Sequence, residues 1–203
     1  MIYQDSRQNR RAENQDALFS LETDTYALMA IFDGMGGHQN GKQAAEAALE
    51  ALKSYDLTNL DWNALFDHLE ARVQPTKGGS TASVVLFDKQ TNECKFAWCG
   101  DSPILIIRDY KTLWKARAHN TWGGLEAYLG LKESRYNNMG VHRPELHTLP
   151  LAPKDIILVA SDGLDPALFP PFEEPTEDLC EYLIEKAIQA GSTDNCTIMV
   201  MQV

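Results

Sequence analysis

The sequence predicts an α+β fold. Apolar side chains recur with a two-residue period in four consecutive stretches, residues 80–88, 93–99, 103–109 and 113–118, which indicates the strands of an antiparallel meander. Helical spacing of apolar residues occurs elsewhere, in stretches that begin near residues 40, 62 and 179. The strands come in runs and the helices are grouped between the runs, so the pattern favours α+β over an alternating α/β sheet.

The first half of the chain supplies a strand and two helices before the meander. An apolar strand is predicted at residues 26–32. A helix should start near Asn40, because Ala45, Ala48 and Leu52 then fall on one face. A second helix is predicted from Trp62 to Val73, where apolar side chains recur every three to four residues.

The second half begins with an irregular stretch. Residues 119–150 show no sustained period and contain several glycines and asparagines, a composition often found in a flap over a site. A short, fully apolar strand follows at Ile156–Ala160. The last helix should be capped by Thr176 and ended by Gly191, and a strand over residues 196–203 closes the chain.

Length and charge limit the classes of function. A chain of 203 residues fits one domain, residues 1–203, and Lys plus Arg (18) against Asp plus Glu (29) gives a net charge of −11. Such an acidic surface repels phosphate backbones and anionic lipid, so we expect neither nucleic acid nor a membrane as partner. No apolar run reaches the roughly 18 residues that span a bilayer. The four cysteines show no C-x-x-C spacing, and we expect buried thiols and a cytoplasmic location.

Three aspartates lie next to the ends of apolar strands. Asp33 and Asp162 follow predicted strands, Asp194 precedes the last one, and each is followed by glycine or asparagine. Convergent carboxylates repel one another, a cost that a cation offsets, and all-oxygen ligation suits Mg²⁺ or Mn²⁺ better than Zn²⁺. Asp16 and Asp101 are further candidates. An Asp-Gly pair after a strand is also a common turn, and spacing alone does not show convergence, so both interpretations stay open here.

The motifs around these aspartates occur in a characteristic order. They are RAENQD at 11–16, DGMGGH at 33–38, GSTA at 79–82, GDS at 100–102, SDGL at 161–164 and DNCT at 194–197. In this order they resemble the protein phosphatase 2C family, also called the PPM metallophosphatases, in its compact bacterial form. The resemblance extends over nearly the whole chain.

The resemblance implies both an architecture and a metal site. The fold would be an α-β-β-α sandwich, two mainly antiparallel β-sheets flanked by helices, with two Mg²⁺ or Mn²⁺ ions at one edge. By similarity, Asp33 would bridge both ions and Gly34 would offer its backbone carbonyl to one of them. Asp162 and Asp194 would ligate the other ion.

Three further residues acquire roles from the same resemblance. Asp16 would hold a water bound to one metal ion, Asp101 would help to bind a third, weaker ion, and Arg11 would bind the substrate phosphate. The implied activity is that of a metal-dependent serine/threonine phosphoprotein phosphatase. A hydroxide bridging the two ions would attack phosphorus in line, without a phosphoenzyme. The expected partners are phosphorylated proteins, opposing a kinase, and the chain is expected to be a monomer.

The chain also departs from the family pattern. Gln15 replaces a common Glu, Met35 stands where animal members carry a histidine, and Pro103 replaces a usual Arg. The flap, about residues 119–150, is abbreviated, which predicts a more open site. Two alternatives therefore stay open, a phosphoprotein-binding module with the same fold and little or no activity, and a phosphatase of small molecules.

Overall fold

Two five-stranded antiparallel sheets pack face to face in the computed structural model, which describes residues 1–36, 40–57, 60–121, 124–130, 144–169, 175–176 and 178–203. The first sheet contains, in spatial order, β1 (Ile2–Arg7), β12 (Cys196–Gln202), β11 (Ile156–Ala160), β6 (Ile104–Arg108) and β7 (Lys111–Lys115). The second sheet contains β10 (Glu145–Pro150), β5 (Glu93–Cys99), β4 (Ala82–Asp88), β3 (Tyr26–Asp33) and β2 (Asp16–Glu22). A two-stranded hairpin is formed by β8 (Asn120–Thr121) and β9 (Gly124–Leu125).

Helices cover the outer face of each sheet. The outer face of the second sheet carries α1 (Gly41–Ser54) and α2 (Trp62–Val73), and the outer face of the first sheet carries α3 (Leu179–Gln189). The predicted α+β class and the α-β-β-α layer order are therefore confirmed. No helix among the described residues is long and apolar enough to cross a bilayer.

The side chains of β3 point alternately to the two faces of the second sheet and so connect the layers. Leu28, Ala30 and Phe32 pack against the α1–α2 layer, whereas Met29 and Ile31 pack against the other sheet. All five side chains are at most 1% exposed. Full burial of a large apolar side chain contributes about 1.5–3 kcal/mol, so this strand anchors two core layers at once. Because β3 ends at Asp33, its rigid placement carries over to the candidate site.

Four expectations about local structure are wrong. The four strands of the predicted meander do not form one sheet, since β4 and β5 lie in the second sheet and β6 and β7 in the first. The chain changes sheets at Gly100, whose φ of +120° few other residues adopt. Residues 145–150, predicted as irregular, form β10 on the edge of the second sheet, and the edge strands β1 and β2 were also not predicted.

The fourth correction concerns the start of α3. Asp178, not Thr176, occupies the N-cap position, and its side chain makes no capping hydrogen bond. Thr176 contributes its backbone carbonyl, which accepts a hydrogen bond from Leu179 N. The predicted end at Gly191 is confirmed, with a φ of +105° and an N–H that donates to Ile188 O.

Candidate active site

Two of the predicted carboxylates face each other across one strand pair. Asp16 begins β2 and Asp33 ends β3, and the two residues are direct partners in the antiparallel register. Like charges placed opposite each other in a sheet are destabilising. The second sheet therefore presents two carboxylates at one end.

The other three aspartates come from the adjacent end of the first sheet. Asp162 follows β11, Asp194 precedes β12 and Asp101 precedes β6, and these three strands are neighbours. Face-to-face packing brings this end beside Asp33, since Asp162 N lies 3.4 Å from Asp33 Oδ2. Strands far apart in sequence thus bring the carboxylates together.

One cavity of about 340 Å³ lies between these strand ends. It is lined by Arg11, Asp33, Gly34, Met35, Gly36, Thr81, Asp101, Asn120, Gly124, Leu125, Asp162 and Asp194. The cavity thus brings together every residue predicted for the site except Asp16, which lies behind Asp33. His38 of the DGMGGH motif lies outside the described residues.

Asp33 is fixed by hydrogen bonds on both sides of its backbone. Its N–H donates to Thr81 Oγ1 (3.1 Å), and its carbonyl accepts from Thr81 N (2.9 Å). Burial, together with the charges of Asp16, Asp162 and Asp194, raises the pKa of Asp33 well above its ordinary value. The carboxylate is therefore held rigidly where its own negative charge is least favourable.

Asp16 is anchored through one oxygen and leaves the other without a partner. Thr197 Oγ1 donates to Asp16 Oδ2 at 2.6 Å, whereas Asp16 Oδ1 is buried and makes no hydrogen bond to any described residue. Burial raises the pKa of Asp16 in spite of the Thr197 hydroxyl. A buried acceptor without a donor is costly, and a water or a cation would satisfy it.

Two carboxyls of the first sheet, Asp162 and Asp101, have raised pKa values. Burial and the charges of Asp101 and Asp194 raise the pKa of Asp162 to about 6, although the residue as a whole reaches solvent. Burial also raises the pKa of Asp101, which the hydrogen bond from Asn120 Nδ2 (3.2 Å) only partly offsets. Burial therefore disfavours the charged form of both groups, and the neighbouring carboxylates add to this at Asp162.

Arg11 reaches the cavity on a segment that Asn195 holds in place. Asn195 Nδ2 donates to Gln8 O (2.8 Å) and Glu13 O (2.9 Å), and its Oδ1 accepts from Gln15 N (2.9 Å). This brackets the turn that carries Arg11, whose guanidinium Nη2 hydrogen-bonds Asp194 Oδ2. That ion pair raises the pKa of Arg11, whose side chain remains 46% exposed.

Gly34 is required by the close approach of three backbone segments. A Cβ at this position would lie 2.4 Å from Gly41 O and 2.7 Å from Gln15 O, closer than any side chain tolerates. Gly34 N also donates to Gln15 O at 3.2 Å. The backbone of Gly34 can therefore line the cavity only because no side chain intervenes.

The donors around the cavity fit a hard divalent cation in chemistry. They are carboxylate and carbonyl oxygens, the ligands that Mg²⁺ and Mn²⁺ prefer, and the unpartnered Asp16 Oδ1 lies behind them. In the described ranges, however, no three Asp, Glu, His or Cys side chains are arranged so that they could hold a metal ion. Asp194 is engaged by Arg11. The oxygens thus line one cavity, but they are not arranged as a complete set of metal ligands.

Several supporting residues did not emerge from the sequence as site residues. The hydroxyls of Thr81 and Thr197 orient Asp33 and Asp16, and the amide of Asn120 contacts Asp101. The two threonines lie within the GSTA and DNCT motifs, so the motifs contained the signal. Nothing in the spacing pointed to the β8–β9 hairpin as a wall of the cavity.

Comparison with known proteins gives the following relationships. A model of the Stage II sporulation protein E (SpoIIE) family matches residues 23–203, which include Asp33, Asp162 and Asp194 and exclude Arg11 and Asp16. Protein phosphatase fem-2 of Caenorhabditis elegans is 27% identical over 229 residues, covering 87% of this chain and 51% of fem-2. The chain therefore spans about half the length of this relative.

Solved structures show the same architecture. The serine/threonine phosphatase of S. agalactiae aligns over 100% of this chain and 99% of its own, with a TM-score of 0.77 and 21% identity. The catalytic domain of the serine/threonine protein phosphatase PstP, solved with two manganese ions, aligns over 98% of this chain and 96% of its own, with a TM-score of 0.71 and 23% identity. At these identities the likeness concerns the fold.

Proposed function

Because this chain belongs to the Stage II sporulation protein E (SpoIIE)/PPM-type phosphatase family, we propose that it is a metal-dependent phosphatase acting on phosphoserine and phosphothreonine in proteins. The observation that carries the proposal is that Asp33, Asp162 and Asp194 line one cavity together with Arg11. Mutually repelling carboxylates attract divalent cations, and a guanidinium is suited to bind phosphate. Both requirements of phosphoester hydrolysis therefore meet in one space.

The proposed metal ligands are the oxygens that line the cavity. Asp33 would hold both ions, the Gly34 carbonyl would contribute to one site, and Asp162 and Asp194 would contribute to the other. Asp16 supports this set from behind, where its unpartnered Oδ1 can accept a hydrogen bond from a water. A third, weaker ion is proposed at Asp101, whose raised pKa would fall on binding a cation.

Arg11 has two competing anionic partners in this proposal. In the structure its guanidinium binds Asp194, the same carboxylate that is proposed as a metal ligand. When a cation takes Asp194, the Nη atoms become available for the oxygens of a substrate phosphate. Arg11 then orients the phosphate for attack and stabilises negative charge on its oxygens.

The four cysteines of the chain are poorly suited to act as covalent nucleophiles. Cys94, Cys99, Cys180 and Cys196 are all buried, and burial raises the pKa of each thiol. A bound pair of Mg²⁺ or Mn²⁺ ions would supply a water acidic enough to attack phosphorus at neutral pH, and positive charge for the phosphoryl oxygens. We therefore propose direct hydrolysis without a phosphoenzyme.

The wider setting belongs to the same proposal. We infer one catalytic domain over residues 1–203, active as a monomer in the cytoplasm and opposing a kinase. The abbreviated flap stays a prediction, because residues 122–123 and 131–143 lie outside the described part of the chain. The described β8–β9 hairpin contributes Asn120, Gly124 and Leu125 to one wall of the cavity.

Hydrolysis of para-nitrophenyl phosphate tests the function directly. Turnover is measured with Mn²⁺ and with EDTA for the wild type, Asp194→Asn and Asp24→Asn, the last being a matched charge change at an exposed position. We expect metal-dependent turnover that falls about 100-fold or more in Asp194→Asn and is unchanged in Asp24→Asn. A folded wild type that binds Mn²⁺ without turnover would instead support the phosphoprotein-binding module.

A further inference from the structure

A second groove opens from the candidate active site toward β7. It encloses about 230 Å³ and shares Asp101, Asn120 and Asp162 with the first cavity. Lys115 and Arg117 line it as well, and neither residue lines the first cavity. We call this space the β7 groove. Because the two cavities share three lining residues, they are adjacent, and a polymer whose reacting group lies at the carboxylates can extend into this groove.

The two cations lie on one face of an extended segment. Lys115 ends β7 and is exposed, Ala116 is 5% exposed, and Arg117 has a side chain that is 80% exposed. This alternation follows the two-residue period of a strand, so Lys115 and Arg117 project to the same side. The backbone is fixed, since Ala116 N donates to Ile104 O (2.9 Å) and Trp98 Nε1 donates to Arg117 O (2.9 Å).

Neither charge is neutralised by a close ion pair. Lys115 has no ion-pair partner among the residues that the structure describes, and Arg117 Nε lies 3.6 Å from Glu145 Oε2, a weak surface contact. Asp165 also lines the groove and keeps its negative charge, although its Oδ1 accepts a hydrogen bond from Ala167 N. The groove is therefore acidic at Asp165 and at the aspartates that it shares with the first cavity, and basic at its β7 end, where Lys115 and Arg117 lie.

Part of the groove lining is apolar. It includes the buried Pro103 and Leu164 and the half-buried Pro166, next to the polar Ser102. The two prolines have no N–H, so this part of the wall offers a peptide contact area rather than hydrogen-bond donors. Such a surface suits an extended polypeptide. Only the β7 end, with Lys115 and Arg117, would then distinguish acidic from basic side chains on that polypeptide.

We propose that the β7 groove binds the polypeptide flank of the phosphorylated substrate and selects acidic side chains on that flank through Lys115 and Arg117. This rests on the proposed phosphatase function and specifies its substrate class. A net charge of −11 repels acidic peptides in general, so a local pair of cations is what would make such a flank acceptable. The preference should be one-sided, because the groove leaves the active site in one direction.

Phosphopeptides with one varied charge test this inference. Glu, Gln or Lys is placed in turn at each of four positions on either side of the phosphoresidue, and kcat and KM are measured with Mn²⁺. We expect Glu to raise kcat/KM over Lys by about fivefold, on one side only, mainly through KM and less at high salt. In Lys115→Glu/Arg117→Glu the preference should reverse, whereas Lys111→Glu, the same change elsewhere on β7, should keep the wild-type preference.

Turnover of para-nitrophenyl phosphate separates the two proposals. If the wild type hydrolyses this ester but shows no charge preference, or one that the double variant retains, the groove proposal is wrong and the phosphatase stands. If the wild type is inactive, binding of the same labelled peptides, followed by fluorescence anisotropy with Mn²⁺, still tests the groove. Tighter binding of the Glu peptides that the double variant loses supports it, and equal binding overturns it.

Discussion

Replacing Asp33 by asparagine should stabilise the metal-free protein. The substitution conserves side-chain volume and removes a charge that burial and Asp16, Asp162 and Asp194 all disfavour. The amide oxygen can still accept the N–H of Asp162, and the amide nitrogen can donate toward the unpartnered Asp16 Oδ1. A substitution at the proposed centre of the active site is thus expected to raise stability.

The magnitude follows from the cost of a buried charge that has no opposite charge beside it. Burial and the carboxylates of Asp16, Asp162 and Asp194 raise the pKa of Asp33, so its ionised form is the disfavoured one. Replacing buried ionic groups by neutral ones of similar volume is often stabilising by a few kcal/mol, so we expect a gain of about 1–3 kcal/mol at pH 7.5. For a domain of this size, each kcal/mol raises Tm by about 2–4 °C.

Asp155 provides a matched control with the opposite expected sign. Its side chain is 1% exposed, and its two oxygens accept from Arg108 Nε (2.7 Å) and Nη2 (2.6 Å). Burial alone would raise the pKa of Asp155, but the hydrogen bonds from Arg108 and Ala152 N bring it below its ordinary value. Asp155→Asn breaks a satisfied pair and should destabilise the protein by about 2–4 kcal/mol.

Thermal unfolding followed by circular dichroism, in EDTA and in Mn²⁺, checks both variants. Saturating Mn²⁺ should raise the Tm of the wild type and of Asp155→Asn, since binding at 100 times Kd adds about 2.7 kcal/mol. Asp33→Asn should start higher in EDTA and gain little from Mn²⁺. A lower Tm than wild type in EDTA, or an undiminished Mn²⁺ response, would refute the reasoning from carboxylate repulsion.

Two further predictions concern pH and the turn before Asp101. Because the pKa of Asp162 is raised to about 6, the native state binds more protons than the unfolded state between about pH 4 and 6, so the metal-free protein should lose stability as pH rises through 6. Mn²⁺ affinity should rise over the same range, with proton release measurable by calorimetry in two buffers; a pH-independent affinity would contradict this. His119 binds Gly100 twice, through its backbone N–H to Gly100 O (2.9 Å) and through Nδ1, which accepts from Gly100 N (3.2 Å). In urea unfolding, His119→Ala should cost about 1–2 kcal/mol and His119→Asn, which keeps an acceptor near Gly100 N, less than half of that; equal losses would exclude the acceptor role.

The central elements of the fold were predictable because their signals are local. In β3 and α2 the apolar residues of the sequence are the ones that are buried in the structure. The strand Ile156–Ala160 was predicted with its observed bounds. The edge strands β1, β2 and β10 were missed because each is only partly buried along its length. The sheet assignment of β6 was also out of reach, because a period shows that a strand exists and not which strand it pairs with.

The residues of the candidate site were predictable from the sequence, but their proximity in space was not. Asp33 and Asp162 contact each other across 129 positions of sequence, a proximity that no local pattern contains. The motif order supplied the residues through a family resemblance, and the structure supplies their convergence. The pairing of Arg11 with Asp194 was not predicted, because the resemblance implied phosphate binding for Arg11 and metal binding for Asp194. The structure shows the two side chains in contact.

That pairing bears on the negative charge of the candidate site. Five carboxyls gather at two sheet ends, and the perturbed pKa values of Asp16, Asp33, Asp101 and Asp162 all shift in the direction that protonation would relieve. Of these five, Asp194 is the one that holds an arginine. Arg11 therefore offsets part of the negative charge that the five carboxyls bring together. On the proposed function, metal binding should release protons from these carboxyls and free Arg11 from Asp194, which makes its guanidinium available to a substrate phosphate.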